Sequence, residues 1–213
     1  MLAAGKLLMG SGVGDDIPAS AVFWCDFNDF AFIDKSSLAH SITNTDVTQE
    51  TGSPYEGAGA GDFNGSTARL TVSSHASFGI GTGDFTLFCA VNPDVFDNTY
   101  DGYVHISSLA NFCLFRYRSG TNSGALAMRI NNQTIITSYI PNTTGAYFTV
   151  RVVRESGAVT VYVNDSDVGS HASSLNGSIA AGDLTIGDNP SSASWEHDGK
   201  LDLVYLLTEA VHP

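Results

Sequence analysis

The sequence predicts an all-β protein, a sandwich of two antiparallel sheets, and three observations lead to this fold class. Apolar and polar residues alternate with a period of two over most of the chain after residue 20. The helix formers Glu and Lys are scarce, since 17 of the 22 acidic residues are Asp and only three residues are Lys. Gly, Ser, Thr and Asn supply 77 of the 213 residues, which favours turns and loops.

Eleven or twelve short segments carry this alternation, and turn-forming residues separate them. In the clearest segment, Phe85, Leu87, Cys89 and Val91 are predicted to share one face. No helical period extends beyond two turns. The predicted strands are residues 22–27, 41–47, 68–72, 84–92, 102–107, 111–117, 125–131, 133–138, 146–154, 159–163, 183–186 and 201–207. The core is expected to include Phe85, Leu87, Val150, Val152, Val161, Leu203 and Tyr205.

The first 20 residues are predicted to form an extended N-terminal arm, and residues 21–213 a single β-sandwich domain. Residues 1–18 contain five Gly or Pro residues and show no alternation. A segment that buries little against its own domain becomes ordered only when a partner surface compensates the lost entropy. We therefore expect the arm to dock on another subunit or protein. The apolar residues available for this docking are Leu2, Leu7, Leu8, Met9, Val13 and Ile17.

Charge and hydropathy exclude several classes of function. The formal net charge is −13 and the pI is about 4.5, which argues against binding to nucleic acid phosphates or to an anionic membrane surface. The sequence contains no run of 18 apolar residues, which is about the length needed to cross a bilayer. Lys6 divides the apolar residues at the start into runs too short for a signal peptide. Cys25, Cys89 and Cys113 lie in apolar runs, which favours buried free thiols over a disulfide.

Several motifs, taken in order, resemble those of concanavalin A-like jelly-roll domains of the laminin-G-like type. They are FNGSTARL at residues 63–70, FGIGTGDFT at 78–86, VVRESGAVTVYVN at 152–164, LTIG at 184–187 and GKLDLV at 199–204. The resemblance extends over about residues 21–211 and implies a jelly-roll sandwich. It leaves the function open, because this fold carries lectins, glycosidases and scaffolds alike.

The resemblance also implies a structural calcium site at Asp34 and Asp202, because related domains often hold this ion at the rim of the sandwich. Calcium prefers oxygen ligands, and the chain is rich in Asp. Two departures from the family pattern matter. Asp165 replaces the glycine of the hairpin turn, and Leu203 replaces an acid that follows the closing Asp. The alternative interpretation of Asp202 is a hydrogen-bonded strand residue, and no other cofactor is expected.

Two aromatic residues are candidates for stacking on a sugar. Tyr162 alternates with valines and therefore points away from the core, and Trp195 lies in a segment too polar to be a core strand. Each has a structural alternative, a packed strand aromatic for Tyr162 and a packed loop anchor for Trp195.

Catalytic motifs have little support, and we expect the chain not to be an enzyme. The string beginning at Glu196 has two of the three acids of laminarinase-like glycosidases and lacks the third. The sequence contains no GxSxG motif and no histidine spacing typical of zinc.

These observations favour a non-enzymatic structural protein of a tailed-phage virion, which decorates the capsid or belongs to the tail. Laminin-G-like single domains of this composition that follow a Gly-rich arm resemble such proteins. The arm would attach to capsid or tail proteins of the same virion, and the protein is expected to form a homo-oligomer. The alternative hypothesis is a carbohydrate-binding module that recognises cell-surface glycans.

Overall fold

The computed structural model describes residues 17–95, 100–107, 111–117, 124–139, 144–171, 177–190 and 195–213. Most of the predicted arm, including Leu2, Leu7, Leu8, Met9 and Val13, lies outside these residues. Within them, no helix is long and apolar enough to cross a membrane.

Regular structure in the described ranges consists of fifteen strands and one 3₁₀ helix, Ala76–Phe78. The strands are β1 (Ala21–Cys25), β2 (Ile42–Thr45), β3 (Thr48–Glu50), β4 (Ala60–Asn64), β5 (Arg69–His75), β6 (Phe85–Pro93), β7 (Tyr100–Ile106), β8 (Phe112–Tyr117), β9 (Ala125–Ile130), β10 (Gln133–Tyr139), β11 (Phe148–Glu155), β12 (Ala158–Val163), β13 (Ser166–His171), β14 (Gly182–Ile186) and β15 (Asp198–Leu207).

The strands form two antiparallel sheets that pack face to face. One sheet has eight strands in the order β13-β12-β11-β6-β15-β4-β3, with β1 beside the second half of β15. The other has seven strands in the order β10-β9-β8-β7-β14-β5-β2. The predicted all-β sandwich is therefore confirmed, and its architecture is consistent with a jelly roll.

The main core lies between the sheets, where alternate residues of each strand point inward. Phe85, Leu87, Val150, Val152 and Val161 all belong to this cluster and are at most 1% exposed. Leu203 and Tyr205 are buried as predicted, but they belong to a second cluster on the opposite face of the eight-stranded sheet.

A β-bulge in β15 explains this placement. Asp202 pairs with Ala90 and Tyr205 pairs with Phe88, so β15 has one more residue between the two pairs than β6 has. Leu203 adopts a positive φ of 44° there. The extra residue turns Leu203 to the side of Asp202 and Tyr205.

Three strands were missed from the sequence because their patterns are weak. β3 has only three residues, and both β3 and β13 lie at sheet edges, where burial imposes little alternation. β4 has the sequence AGDFN, whose Gly and Asp are typical of turns.

Two local expectations are confirmed. Asn164 and Asp165 both have positive φ and form the tight turn between β12 and β13, so Asp replaces the family's glycine without loss of the hairpin. Cys25, Cys89 and Cys113, all of them among the described residues, are buried free thiols. Burial raises the pKa of the Cys25 thiol to about 12, so this group is unreactive at neutral pH.

Candidate functional site

The face of the eight-stranded sheet that points away from the main core, here called the outer face, carries a mixture of aromatic and polar side chains. Strand register arranges these side chains in rows across the sheet. In the first row, Lys200 of β15 lies between Asp62 of β4 and Asn92 of β6. Tyr147 extends this row, because it directly precedes the pair formed by Phe148 and Val91.

The row at the opposite side of the bulge is aromatic. The Tyr205 ring stacks on Trp24 at 4.6 Å and on Phe88 at 4.9 Å between centroids, with the rings nearly parallel. The Arg151 guanidinium lies 5.7 Å from the Phe88 centroid. Phe88 and Tyr205 are at most 1% exposed, so this stack forms an apolar base for the face rather than a binding surface.

Between these rows lies Asp202, which holds a surface loop in place. Its Oδ2 accepts a hydrogen bond of 2.9 Å from the Glu56 backbone N–H, and its Oδ1 accepts one of 2.7 Å from the Leu203 N–H. Burial raises the pKa of this carboxyl to about 7, although the backbone donors lower it. Asp202 therefore positions the neighbouring Tyr55.

Tyr55 and Tyr147 form an aromatic pair at the rim of the outer face. Their ring centroids are 5.7 Å apart with an angle of 52° between the planes, and Tyr55 is 41% exposed. Burial raises the pKa of the Tyr147 hydroxyl, and four carboxylates add to this effect. They belong to Asp202, Glu50, Asp94 and Asp62. The surroundings of the pair are thus acidic.

Two buried polar atoms beside this pair, Asn92 Oδ1 and the Tyr147 hydroxyl, have no hydrogen-bond partner among the described residues. An unpaired buried polar atom typically costs about 1–3 kcal/mol. A ligand hydroxyl that reached these atoms would offset that cost. The arrangement therefore combines an exposed ring with unpaired hydrogen-bonding groups buried beside it, and aromatic rings next to polar groups are the chemistry that sugars require.

The two predicted sugar-stacking residues lie elsewhere. Trp195 is only 4% exposed and packs on the outer face of the seven-stranded sheet, stacked on Tyr100 at 4.3 Å, so the loop-anchor interpretation is the one that the structure supports. Tyr162 lies on the outer face, one strand beyond Arg151, and its hydroxyl is 2.7 Å from His212 Nδ1. Neither residue joins the Tyr55–Tyr147 pair.

Asp34 has a structural role that its position alone did not reveal. The buried carboxylate accepts hydrogen bonds from the backbone N–H groups of Trp24, Ser36 and His40, and from the side chains of Ser36 and His40. Although burial opposes ionisation, these bonds lower its pKa. Within the described ranges, no group of three or more His, Cys, Asp or Glu residues is arranged to hold a metal ion. Calcium at Asp34 and Asp202 stays a prediction.

Residues 64–213 match the profile of a laminin-G-type family in the concanavalin A-like lectin/glucanases superfamily. The chain belongs to this family. The match includes the hairpin and closing motifs of the laminin-G-like domain, and thus confirms the resemblance seen in the sequence. No curated protein sequence matches the chain at a significant level.

Solved structures share the fold of this laminin-G-like domain. The binding domain of paraclostridial mosquitocidal protein 1 has a TM-score of 0.71 and 16% identity, and that of botulinum neurotoxin serotype G has 0.69 and 12%. The matches cover 91% of this chain for the mosquitocidal protein and 90% for the neurotoxin. This chain spans only about half of each toxin domain, 50% of the first and 48% of the second. Domain 4 of an extracellular arabinanase from Geobacillus stearothermophilus, solved with arabinotriose, has a TM-score of 0.67 and 16% identity, with coverage of 91% and 95%.

The Tyr55–Tyr147 pair was missed from the sequence because it joins a loop to the start of β11, more than 90 residues away. Tyr55 lies in a stretch of Gly, Ser and Pro that carries no period, and Tyr147 directly precedes an apolar strand. The only sequence feature that could have indicated the pair is the presence of the two tyrosines themselves. Because the chain contains eight tyrosines, this feature does not single out Tyr55 and Tyr147.

Proposed function

We propose that this laminin-G-like domain binds carbohydrate on the outer face of the eight-stranded sheet, at Tyr55 and Tyr147. The observation that carries the proposal is the exposed Tyr55 ring beside Asn92 Oδ1 and the Tyr147 hydroxyl, two hydrogen-bonding atoms without partners in the described part of the chain. A sugar would stack its C–H face on Tyr55 and direct hydroxyls towards Asn92 and Tyr147. The similarity to an arabinanase domain solved with arabinotriose supports this function.

The charge around the pair favours a neutral glycan. The carboxylates of Glu50, Asp62 and Asp94 act on Tyr147, whereas the nearby Lys200 is already engaged by Asp94 at 3.0 Å. A uronic or sialic acid would be repelled by this surface, and a neutral pentose or hexose oligomer would not.

The test is titration calorimetry with neutral oligosaccharides selected on a glycan array. Tyr55→Ala removes the stacking ring and should weaken binding about tenfold or more. Tyr147→Phe removes only the hydroxyl and should weaken binding several-fold. Phe30→Ala is the control, because Phe30 is an exposed aromatic, 82% accessible, in the loop that follows β1.

The proposal fails if no neutral glycan binds above background, or if Tyr55→Ala and Phe30→Ala bind equally well. Loss of binding in Tyr162→Ala, with Tyr55→Ala unaffected, would instead place the site at the residue predicted from the sequence.

Membership of a phage virion stays a second, separate prediction. Its structural basis is the arm, of which only the last residues are described, with Ile17 packed against the second cluster. Glycan binding and a place in a virion are compatible, since a projecting domain of a particle could bind cell-surface sugars.

A further inference from the structure

Three side chains from two separate segments, Asp34 and His40 from one and Ser77 from the other, form a hydrogen-bonded line. Asp34 Oδ2 lies 2.6 Å from His40 Nδ1, and His40 Nε2 lies 3.3 Å from Ser77 Oγ. The ionised Asp34 can only accept, so the proton of the neutral His40 ring resides on Nδ1. The Nε2 lone pair therefore faces the Ser77 hydroxyl.

The acid and the base of this line are held rigidly. Three backbone N–H groups fix the Asp34 carboxylate, each at 2.9 Å, and come from Trp24, Ser36 and His40. The His40 side chain is only 7% exposed and packs on the Phe78 ring at 4.9 Å. His40 is thus oriented by a buried carboxylate.

The Ser77 hydroxyl lies between two imidazole rings. His75 Nδ1 is 2.8 Å from Ser77 Oγ and accepts the Ser77 backbone N–H at 3.2 Å, so His75 Nδ1 carries no proton. When His40 is neutral, the Ser77 hydroxyl has one proton and two possible acceptors, His75 Nδ1 and His40 Nε2. Ser77 is half-buried and His75 is exposed, so a small ligand can reach Oγ.

We propose that Ser77 is a nucleophile, that His40 is its general base and that Asp34 positions His40, in a site that hydrolyses esters of small carboxylic acids. The chain order of acid, base and nucleophile is the one found in subtilisins. A distance of 3.3 Å between base and nucleophile is within the range seen before a substrate binds. The absence of GxSxG is no obstacle, because triads are defined by geometry and recur on unrelated folds.

The reaction consumes one ester and one water. Ser77 Oγ bonds to the acyl carbon as the ester C–O bond breaks, and the hydroxyl proton passes through His40 Nε2 to the departing alcohol. Water then attacks the acyl-serine, His40 accepts the water proton and returns it to Ser77 Oγ, and the carboxylic acid leaves. The rings of His75 and Phe78 flank His40, at 4.8 and 4.9 Å, which favours an acyl group as small as acetyl.

The experiment measures acylation of the whole protein by p-nitrophenyl acetate and labelling by a fluorophosphonate, each located by peptide mass spectrometry. We expect both reagents to modify Ser77. Ser77→Ala should abolish the modification, and His40→Ala should slow it by at least about 100-fold, the lower range for a general base. Ser73→Ala is the matched control, because Ser73 is an exposed serine on β5, the strand that precedes Ser77.

Melting curves show whether each variant is folded, and Ser77→Cys, which retains a nucleophile, provides a second measurement if His40→Ala unfolds. In Ser77→Cys the new thiol should react with iodoacetamide at a lower pH than an ordinary cysteine, because the oriented imidazole stabilises the thiolate. The proposal is overturned if Ser77 reacts no faster than Ser73, or if folded His40→Ala reacts as fast as the unmodified sequence. It is equally overturned if the thiol introduced by Ser77→Cys titrates like that of an ordinary cysteine.

These experiments test only the Ser77 site. Their results neither support nor contradict glycan binding at Tyr55.

Discussion

Asp202 illustrates how one buried side chain links sheet geometry to a surface loop. Its carboxylate is fully buried beside the β15 bulge and accepts backbone hydrogen bonds from Glu56 and Leu203. Desolvation outweighs these bonds and raises the pKa from 3.8 to about 7. Asp202 thus holds the loop that carries Tyr55 in place, although burial destabilises the ionised form of its carboxyl group.

Stability should depend on pH through Asp202. The folded protein retains the Asp202 proton up to about pH 7, whereas the unfolded chain loses it near pH 4, so unfolding releases a proton between these values. The contribution of Asp202 to the free energy of unfolding therefore decreases as the pH rises through this range, by roughly 2–4 kcal/mol in total. Urea unfolding from pH 4 to 8 should show this decrease relative to Asp202→Asn, which does not titrate.

The control for this measurement is Asp46→Asn, because Asp46 is exposed and its φ of 55° suits Asn equally well. A stability difference between Asp202→Asn and the unmodified protein that stays constant from pH 4 to 8 would contradict the prediction.

Calcium is the second prediction at this scale. If Asp34 and Asp202 share an ion, EDTA should lower the melting temperature at constant ionic strength, and Asp202→Asn should remove the effect of EDTA. Elemental analysis of the purified protein checks the metal directly. An unchanged melting curve together with no bound metal would remove the site, and would leave both residues with the backbone contacts described above.

At the scale of elements, turns and bulges decide how the two sheets meet. Arg154 of β11 is buried, and its guanidinium donates to the carbonyls of Gly81, Gly83 and Gly177, which ties the sheet to the loops at its end. At the end of β14, Gly187 has a φ of 84° and contacts the buried Phe63 ring so closely that a Cβ would lie 2.2 Å from it. The LTIG motif therefore ends in glycine for two independent reasons.

Gly187→Ala should be strongly destabilising. The left-handed conformation costs a residue with a Cβ roughly 1–2 kcal/mol, and displacement of Phe63 adds to this cost. We expect the free energy of unfolding to decrease by about 3 kcal/mol or more, measured by urea denaturation. Gly145→Ala is the control, since Gly145 has a similar φ of 74° but open space around it. Equal effects of the two changes would show that Phe63 imposes no constraint.

At the scale of the whole molecule, the acidic sandwich and the apolar arm are expected to play different parts. A net charge of −13 disfavours association between copies of the sandwich. The first described residues already contact the sandwich, since Ile17 packs against the second cluster and Thr208 donates its N–H to Ser20 O at 3.0 Å. We therefore place the separation between arm and domain before Ile17, slightly earlier than the sequence indicated.

Deletion of residues 1–16 should leave a folded, soluble β-sandwich that no longer attaches to its particle or partner subunits. The clusters of the described core are built from residues from Ile17 onward, and the truncated chain retains all of them. Circular dichroism and melting curves test the fold, and co-sedimentation with particles tests attachment. The arm has no docking role if the truncated protein still attaches at full occupancy.

The sequence by itself determined the fold class, the inward face of most strands and the tight turn at Asn164, because period-two alternation and turn chemistry are local properties. It did not determine the outer face. The bulge at Leu203 turns one residue of β15 outward, Trp195 is buried although its neighbours in sequence are polar, and Tyr55 meets Tyr147 across more than 90 residues. Only the tertiary structure brings Asp34, His40 and Ser77 into one line, since such contacts depend on the register and packing of elements that no local pattern encodes.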